Sequence, residues 1–543
     1  MRLKSFHSPG FGFVRLAALV LCFAFWVGTS PAATWYVAPT GADTNAGAIS
    51  TPFATITRAQ TAAISGDTVY LRGGTYFLNN TNLTLTNSAW AIVNNISKSG
   101  ISYLAYPGER PVFDLSAVQP TGWRVTAFRV TANNCTFKGF DVVGVQIILT
   151  GNNQQSECFR VDGGSSNRFE QLAMHDGMGI GWYLTSGASN LVLNCDAYQN
   201  RGLDSFSVGN IDGFGCHPNS TSGKSNVLSG CRAWFNSDDG FDLINAKAKV
   251  VIENCWAFYN GYTNSSFTSS GGDANGFKSG GYGVNGSTTP PSPAPRHVTR
   301  FCLAARNRAN GFYANHHTGG LDWFNNTAYR NAPNASTNST TADFNMLCNL
   351  DAMASSNDVP GFDHVIKNNL GYRGGGSNEV TNLGLTNDAS FNSFTNYVPP
   401  AVTVASNDFM SLDESLLTLP RQADGSLPYI AFAQLVSSSD LVNAGTNAGF
   451  VYAGTAPDLG AFEYGLKPPP TFAMTRNGTN LIFTGGGGPA GGTNYLVATT
   501  NPALPVAQWP RVATNKFDLA GNYVFTNSIP AGVPSRFHRL SLP

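Results

Sequence analysis

Charge is what this sequence has least of. Only 12% of the 543 residues are charged, with 32 Lys and Arg against 32 Asp and Glu. That is about half the share usual in soluble domains. A net charge of zero gives no electrostatic reason to expect nucleic acid or an acidic membrane as partner. No Cys-x-x-Cys pair occurs, which argues against a zinc site. The composition also lacks the Ala, Glu, Lys and Leu excess of a coiled coil or helix bundle. Disorder is excluded as well, because 42% of residues are hydrophobic and 12% aromatic. What is abundant is Gly, at 59, and Asn, at 53. The chain reads as a turn-rich, polar but uncharged β architecture.

Long apolar runs are missing too, with one short exception. Residues 16–27 are apolar and follow Arg2, Lys4 and Arg15. The run falls short of the roughly 18 residues of a spanning helix and fits a signal-peptide core. Ser30 and Ala32 supply a small-x-small cleavage pattern. Residues 1–32 are therefore expected to direct export, and the mature chain is expected to have no membrane span.

An internal repeat organises the middle of the chain. Asn194-Cys195-Asp196-Ala197-Tyr198-Gln199-Asn200 recurs around Cys231, Cys255 and Cys302, and again with Asn326 in place of Cys. The frame is C-x-A-x-x-N, with a shortest spacing of 24 residues, from Cys231 to Cys255. Residues two apart on a strand share a face, so Cys and Ala point to one side. Both are small and readily buried. A unit of this length, with short strands and no helical period, is one coil of a parallel β-helix. Stacked coils would pile Cys on Cys as core filler rather than as disulfides. The Asn would form a hydrogen-bonded ladder at a turn.

A second frame, [DN]-G-F-x, follows each ladder. It reads Asp212-Gly213-Phe214-Gly215, Asp239-Gly240-Phe241-Asp242, Asn275-Gly276-Phe277-Lys278 and Asn310-Gly311-Phe312-Tyr313. Gly is expected to permit a sharp turn and Phe to pack inward. The fourth position then forms a file of Gly215, Asp242, Lys278 and Tyr313, with Asp242 and Lys278 on adjacent coils.

Asp212, Asp238, Asp239 and Asp242 thus converge in a chain poor in charge. Like charges one coil apart raise each other's pKa unless a cation separates them. All-oxygen ligands on turns suit calcium, Ca²⁺. The alternative is a set of turn and cap carboxylates. Beside a bound cation the ammonium of Lys278 would be disfavoured, and a neutral lysine is a competent general base. A cation with a neutral base fits proton abstraction from C5 of a uronic acid, with departure of the C4 glycosidic oxygen.

The motifs Asp212-Gly213-Phe214, Ser237-Asp238-Asp239-Gly240-Phe241-Asp242 and Gly272-Asp273-Ala274-Asn275-Gly276-Phe277-Lys278 resemble those of family nine polysaccharide lyases. These are pectate lyases built as a right-handed parallel β-helix. The resemblance implies that Asp212, Asp238, Asp239 and Asp242 hold Ca²⁺ and that Lys278 is the Brønsted base. It implies an acidic polysaccharide, pectate or polygalacturonate, as partner. A β-helix glycoside hydrolase with paired carboxylates and a non-catalytic carbohydrate-binding β-helix are the competing readings.

The expected organisation is all-β. Residues 33–466 form the catalytic β-helix, with residues 56–64 as a short capping helix that protects an open sheet edge. Lys467-Pro468-Pro469-Pro470 reads as a stiff linker. Residues 471–543 alternate apolar and polar types, as a small β module would. A secreted monomer is expected.

Overall fold

The computed structural model describes residues 32–87, 89–151, 153–333, 341–373, 379–394, 402–465, 472–487, 493–502, 504–518, 522–528 and 536–541. The expected export signal, up to residue 31, and the expected linker at Lys467–Pro470 lie outside the described residues.

Among the described residues, three long sheets of 12, 10 and 11 strands wind along one axis. They are called sheets 1, 2 and 3 below. Each strand pairs with a strand of the next coil, and nearly all pairs are parallel. This is a parallel β-helix. A short helix, α1 (Ile56–Ala62), lies at the N-terminal end of the β-helix and buries Ile56, Ala59 and Gln60. Gln60 accepts from Ser97 N at 2.8 Å and Lys98 N at 3.1 Å and donates to Asn95 O at 2.9 Å. It thereby satisfies backbone groups that the first coils leave open. No helix among the described residues is long and apolar enough to cross a membrane.

The repeat explains the interior. Cys195, Cys231, Cys255 and Cys302 are buried and free, so they fill the core without cross-linking. The residue before each of them has a left-handed backbone: Asn194, Gly230, Asn254 and Phe301 have φ of 54, 65, 52 and 53°. A second left-handed corner precedes each ladder Asn, at Gln199, Phe235, Tyr259 and Arg306. The C-x-A-x-x-N frame is therefore a short strand of sheet 2 between two sharp corners. Asn200, Asn236, Asn260, Asn307 and Asn331 form the ladder. Each of the first four Nδ2 groups donates to the next Asn Oδ1 at 2.9–3.2 Å and to a backbone carbonyl at 2.8–3.1 Å, and Asn331 Nδ2 donates to Asp343 Oδ1 and Ala304 O, both at 2.9 Å.

The Phe frame stacks as well. Phe214, Phe241, Phe277, Phe312 and Phe344 lie nearly parallel, ring upon ring, with centroids 5.0, 4.8, 5.0 and 4.9 Å apart. The Gly before each of the first four Phe serves a different purpose from the expected turn. Gly213, Gly240, Gly276 and Gly311 are not among the left-handed residues. A Cβ on Gly240 would instead lie 2.7 Å from Gly276 O, 2.9 Å from Ala257 Cβ and 2.9 Å from Asn260 Nδ2. The glycine is needed because the next coil, the Ala of sheet 2 and the Asn ladder all close on it. One frame's Ala and the other frame's Gly are small for the same contact.

Residues 402–465 fold back over the outer face of sheet 2. Phe409, Leu417, Ile430, Phe432 and Leu441 cover Trp234, Phe258, Leu303, Tyr329 and Tyr372. Arg421 reaches Asp196 at 2.6 Å, and Arg232 meets the same carboxylate at 2.9 Å. The C-terminal strands form two three-stranded antiparallel sheets. Their core is Phe483, Leu496, Phe517, Tyr523 and Phe525.

Candidate active site

Sheet 3 positions the candidate residues. Strand pairing aligns Tyr183 with Gly215, Gly215 with Asp242, Asp242 with Lys278 and Lys278 with Tyr313. Their neighbours Trp182, Phe214, Phe241, Phe277 and Phe312 are fully buried, so this file faces outward. The expected file of fourth positions is present in full, and the inserted loops do not break it.

The structure brings all five predicted residues together. Carboxylate oxygens of Asp212, Asp238 and Asp239 lie within 4.8 Å of one another. Asp242 stands beside this triad and not within it. Lys278 Nζ lies 3.1 Å from Asp239 Oδ2 and 3.2 Å from Asp242 Oδ2. Backbone donors fix the acids. Asp239 N donates to Asp212 Oδ1 at 3.2 Å, Ala274 N to Asp238 Oδ1 at 3.1 Å, and Ile244 N to Asp242 Oδ1 at 2.7 Å. Asn275 donates to Asp239 Oδ1 twice, from its backbone at 2.6 Å and from its side chain at 2.8 Å. The repeat position that carries Asp in two coils thus carries an amide donor in the third.

The electrostatics are severe. Burial, then the charges of Asp242, Asp238 and Asp239, push Asp212 well above the ordinary carboxylate range. Burial and then Asp239 push Asp238 well up. Asp239 is raised chiefly by burial, against the pull of Lys278. Burial favours a neutral Lys278, but the summed field of Asp239, Asp242, Asp238 and Asp212 outweighs it and holds the ammonium well above its usual value. The sequence reading expects a lowered value beside a bound cation. The carboxylates by themselves do the opposite.

Four buried carboxylates against one ammonium is an uncompensated set. Every donor is a hard oxygen, and among the described residues Asp212 and Asp238 each accept one hydrogen bond, on Oδ1 alone. That combination fits a divalent cation such as calcium. The Lys278 side chain retains 18% exposure while that of Asp239 has 1%. The amine is therefore the more reachable of the two.

Two neighbours carry no sequence signal. His217 Nε2 lies 4.0 Å from Asp242 Oδ2, and burial keeps this imidazole below its ordinary pKa. Tyr183 packs edge-on against His217 at 5.0 Å, with its hydroxyl pushed up to about 12 by burial. His217 follows Gly215 by two residues. The equivalent positions in the next coils are Ile244, Gly280 and Asn315, so no pattern marks it. The pair His316 and His317 splits. His317 is buried and accepts from Gly281 N at 3.1 Å, whereas His316 pairs with Asp358 at 2.6 Å.

An outward acid–lysine cluster on a parallel β-helix defines a class of polysaccharide-degrading enzyme, the β-helix lyases. A family profile described as "Pel9A-like, right handed beta helix region" matches residues 35–382. Pectate lyase L of Dickeya chrysanthemi is 36% identical over 447 residues, covering 80% of this chain and 92% of that protein. The crystal structure of pectate lyase Pel9A superposes with a TM-score of 0.60 at 32% identity, over 80% of this chain and 97% of that one. A solved rhamnogalacturonan lyase superposes with a TM-score of 0.68 at 42% identity, over 74% and 96%. The chain belongs to the Pel9A-like right-handed β-helix family, and it is a polysaccharide lyase of the pectate-lyase type.

Proposed function

We propose that this protein is an exported, calcium-dependent lyase that cleaves polygalacturonate by β-elimination, with Lys278 as the base. The observation that carries this reading is one amine standing beside an all-carboxylate cluster in an outward file of sheet 3. Asp212, Asp238, Asp239 and Asp242 would hold the cation. Bound there, calcium would compensate the aspartates and the substrate carboxylate, which acidifies the sugar C5 proton and removes the charge that keeps Lys278 protonated. The neutral Nζ of Lys278 takes the C5 proton. The electron pair of the broken C5–H bond forms the C4–C5 double bond, the C4–O bond breaks, and the departing oxygen is protonated from solvent. No water is consumed in the net cleavage. Residues 1–32 are read as the export signal.

The test is incubation with de-esterified pectin, with and without a chelator, following near-ultraviolet absorbance. Unsaturated product that disappears with chelation is expected. New reducing ends without that absorbance would mean hydrolysis and would end the reading. A second substrate is favoured by the 42% identity to the rhamnogalacturonan lyase. A parallel incubation with that polymer, in which uronate alternates with a neutral sugar, decides between the two.

A further inference from the structure

The outward file does not end at Tyr183. Strand pairing continues it from Tyr183 to Arg160 and from Arg160 to Arg129. Arg160 therefore shares the face of Lys278, four coil steps away. At ~4.8 Å per step the separation is about 19 Å.

Arg160 is an unusual arginine for a β-helix surface. Its guanidinium carbon lies 4.3 Å from the ring centre of Trp90 and 5.7 Å from that of Tyr183. Arg124 sits over the same Trp90 ring at 4.6 Å, so the indole stacks with two cations. One carboxylate, the fully buried Glu157, serves both: Arg124 and Arg160 each reach its Oε1 at 3.0 Å. Two arginines against one glutamate leave a net charge of +1 here. The nearby Arg129 is neutralised by Asp162 at 2.6 Å. Arg124 spends its donors on Glu157 and Gln155. Arg160 makes one hydrogen bond among the described residues, through Nη1. Its Nε and Nη2 have no protein acceptor there. A planar fork, held over an aromatic ring and short of one negative charge, is preorganised for a carboxylate.

We infer that Arg160, framed by Trp90 and Tyr183, binds a uronate carboxylate of the substrate chain several sugars from the bond that breaks. This rests on the polyuronate-lyase reading. It implies that substrate runs along sheet 3, parallel to the coil axis, and that long chains are bound better than short ones.

The test compares wild type with Arg160→Ala and Arg160→Gln on polygalacturonate and on the shortest oligogalacturonide that is cleaved. KM for the polymer is expected to rise about tenfold, the size of one charge-assisted hydrogen bond, with kcat within about twofold. The shortest substrate should be unaffected, and Arg160→Lys should recover part of the loss. An unchanged KM for the polymer overturns the proposal, as does an equal rise for both substrates. A second measurement leaves Arg160 in place: in Lys278→Ala protein, bound polygalacturonate should shield Arg160 from phenylglyoxal, and unshielded labelling overturns it. Wild type that cleaves no polyuronate would sink the underlying reading instead.

Discussion

Lys278 and Asp242 are paired in register on adjacent coils, with Nζ 3.2 Å from Oδ2. The amine thus answers to an acid outside the Asp212, Asp238 and Asp239 triad. Its strand is held by Phe277, stacked between Phe241 and Phe312, so the lysine can be changed without loosening the coil. Lys278→Ala should lower kcat by roughly 10²–10⁴-fold, the usual share of a general base. Lys278→Arg keeps the positive charge but cannot give up its proton, and it should be equally inactive. Absorbance of unsaturated product, with circular dichroism as the fold control, reads both. An active Arg variant would show that the residue supplies charge and not basicity.

The acidic cluster makes a prediction of opposite signs. Burial and mutual repulsion raise Asp212 and Asp238 well above normal, so at neutral pH their charge costs the cation-free fold stability. Asp238→Asn removes one charge, and the amide oxygen can still accept from Ala274 N. In chelator this variant should unfold later than wild type, by on the order of 1 kcal/mol. With calcium the order should invert. Wild type gains about 2.7 kcal/mol at 100 times Kd, and the variant gains little. Thermal unfolding in the two buffers is the measurement; a variant that gains as much as wild type from calcium would remove Asp238 from the ligand set.

Much of this site was legible because its signals are local and repeat. The Asn ladder, the Phe stack and the Gly215, Asp242, Lys278, Tyr313 file each recur once per coil, and parallel pairing turns that recurrence into contact. Four things escaped. The covering segment 402–465 has no period, and its anchor between Arg421 and Asp196 spans 225 residues. His217 occupies a position whose counterparts share no chemistry. The role of the frame glycine was misread because turn and close approach favour the same residue, and only the neighbours of the missing Cβ tell them apart. The charge state of Lys278 was hidden for a related reason: it depends on whether the four carboxylates are compensated, which a sequence does not record.

Gly240 joins fold to site. The Cβ of an alanine there would meet the backbone oxygen of Gly276 at 2.7 Å, which cannot swing away as a side chain could. Gly240→Ala should cost roughly 1–3 kcal/mol by overpacking. Because Asp239 and Phe241 flank it, the variant should also lose calcium-dependent stabilisation. Gly209→Ala is the control, since nothing lies within 4 Å of the added carbon. Urea unfolding of both variants separates close approach from a general intolerance of alanine; equal losses would contradict the packing argument.

Three buried histidines set the acid limit. His297, His317 and His364 each accept a backbone N–H on Nδ1, from Val250 at 3.1 Å, Gly281 at 3.1 Å and Leu321 at 2.9 Å. Accepting requires a neutral ring, and all three are buried. Burial lowers His317 to about 3 and His364 to about 4, from an ordinary 6.5, and takes His297 well below it. A depressed folded value means that the unfolded chain binds protons first. Stability from these groups is therefore complete above pH ~6.5 and is lost as pH falls towards the folded values. Between pH 7 and pH 5 each should forfeit about 2 kcal/mol. Saturating calcium during the measurement keeps the acidic cluster from titrating. His364→Gln, whose amide oxygen can accept from Leu321 N without ionising, should lose correspondingly less between the two pH values. Urea unfolding at each pH checks this, and an acid loss as large in the variant as in wild type would place the sensitivity elsewhere.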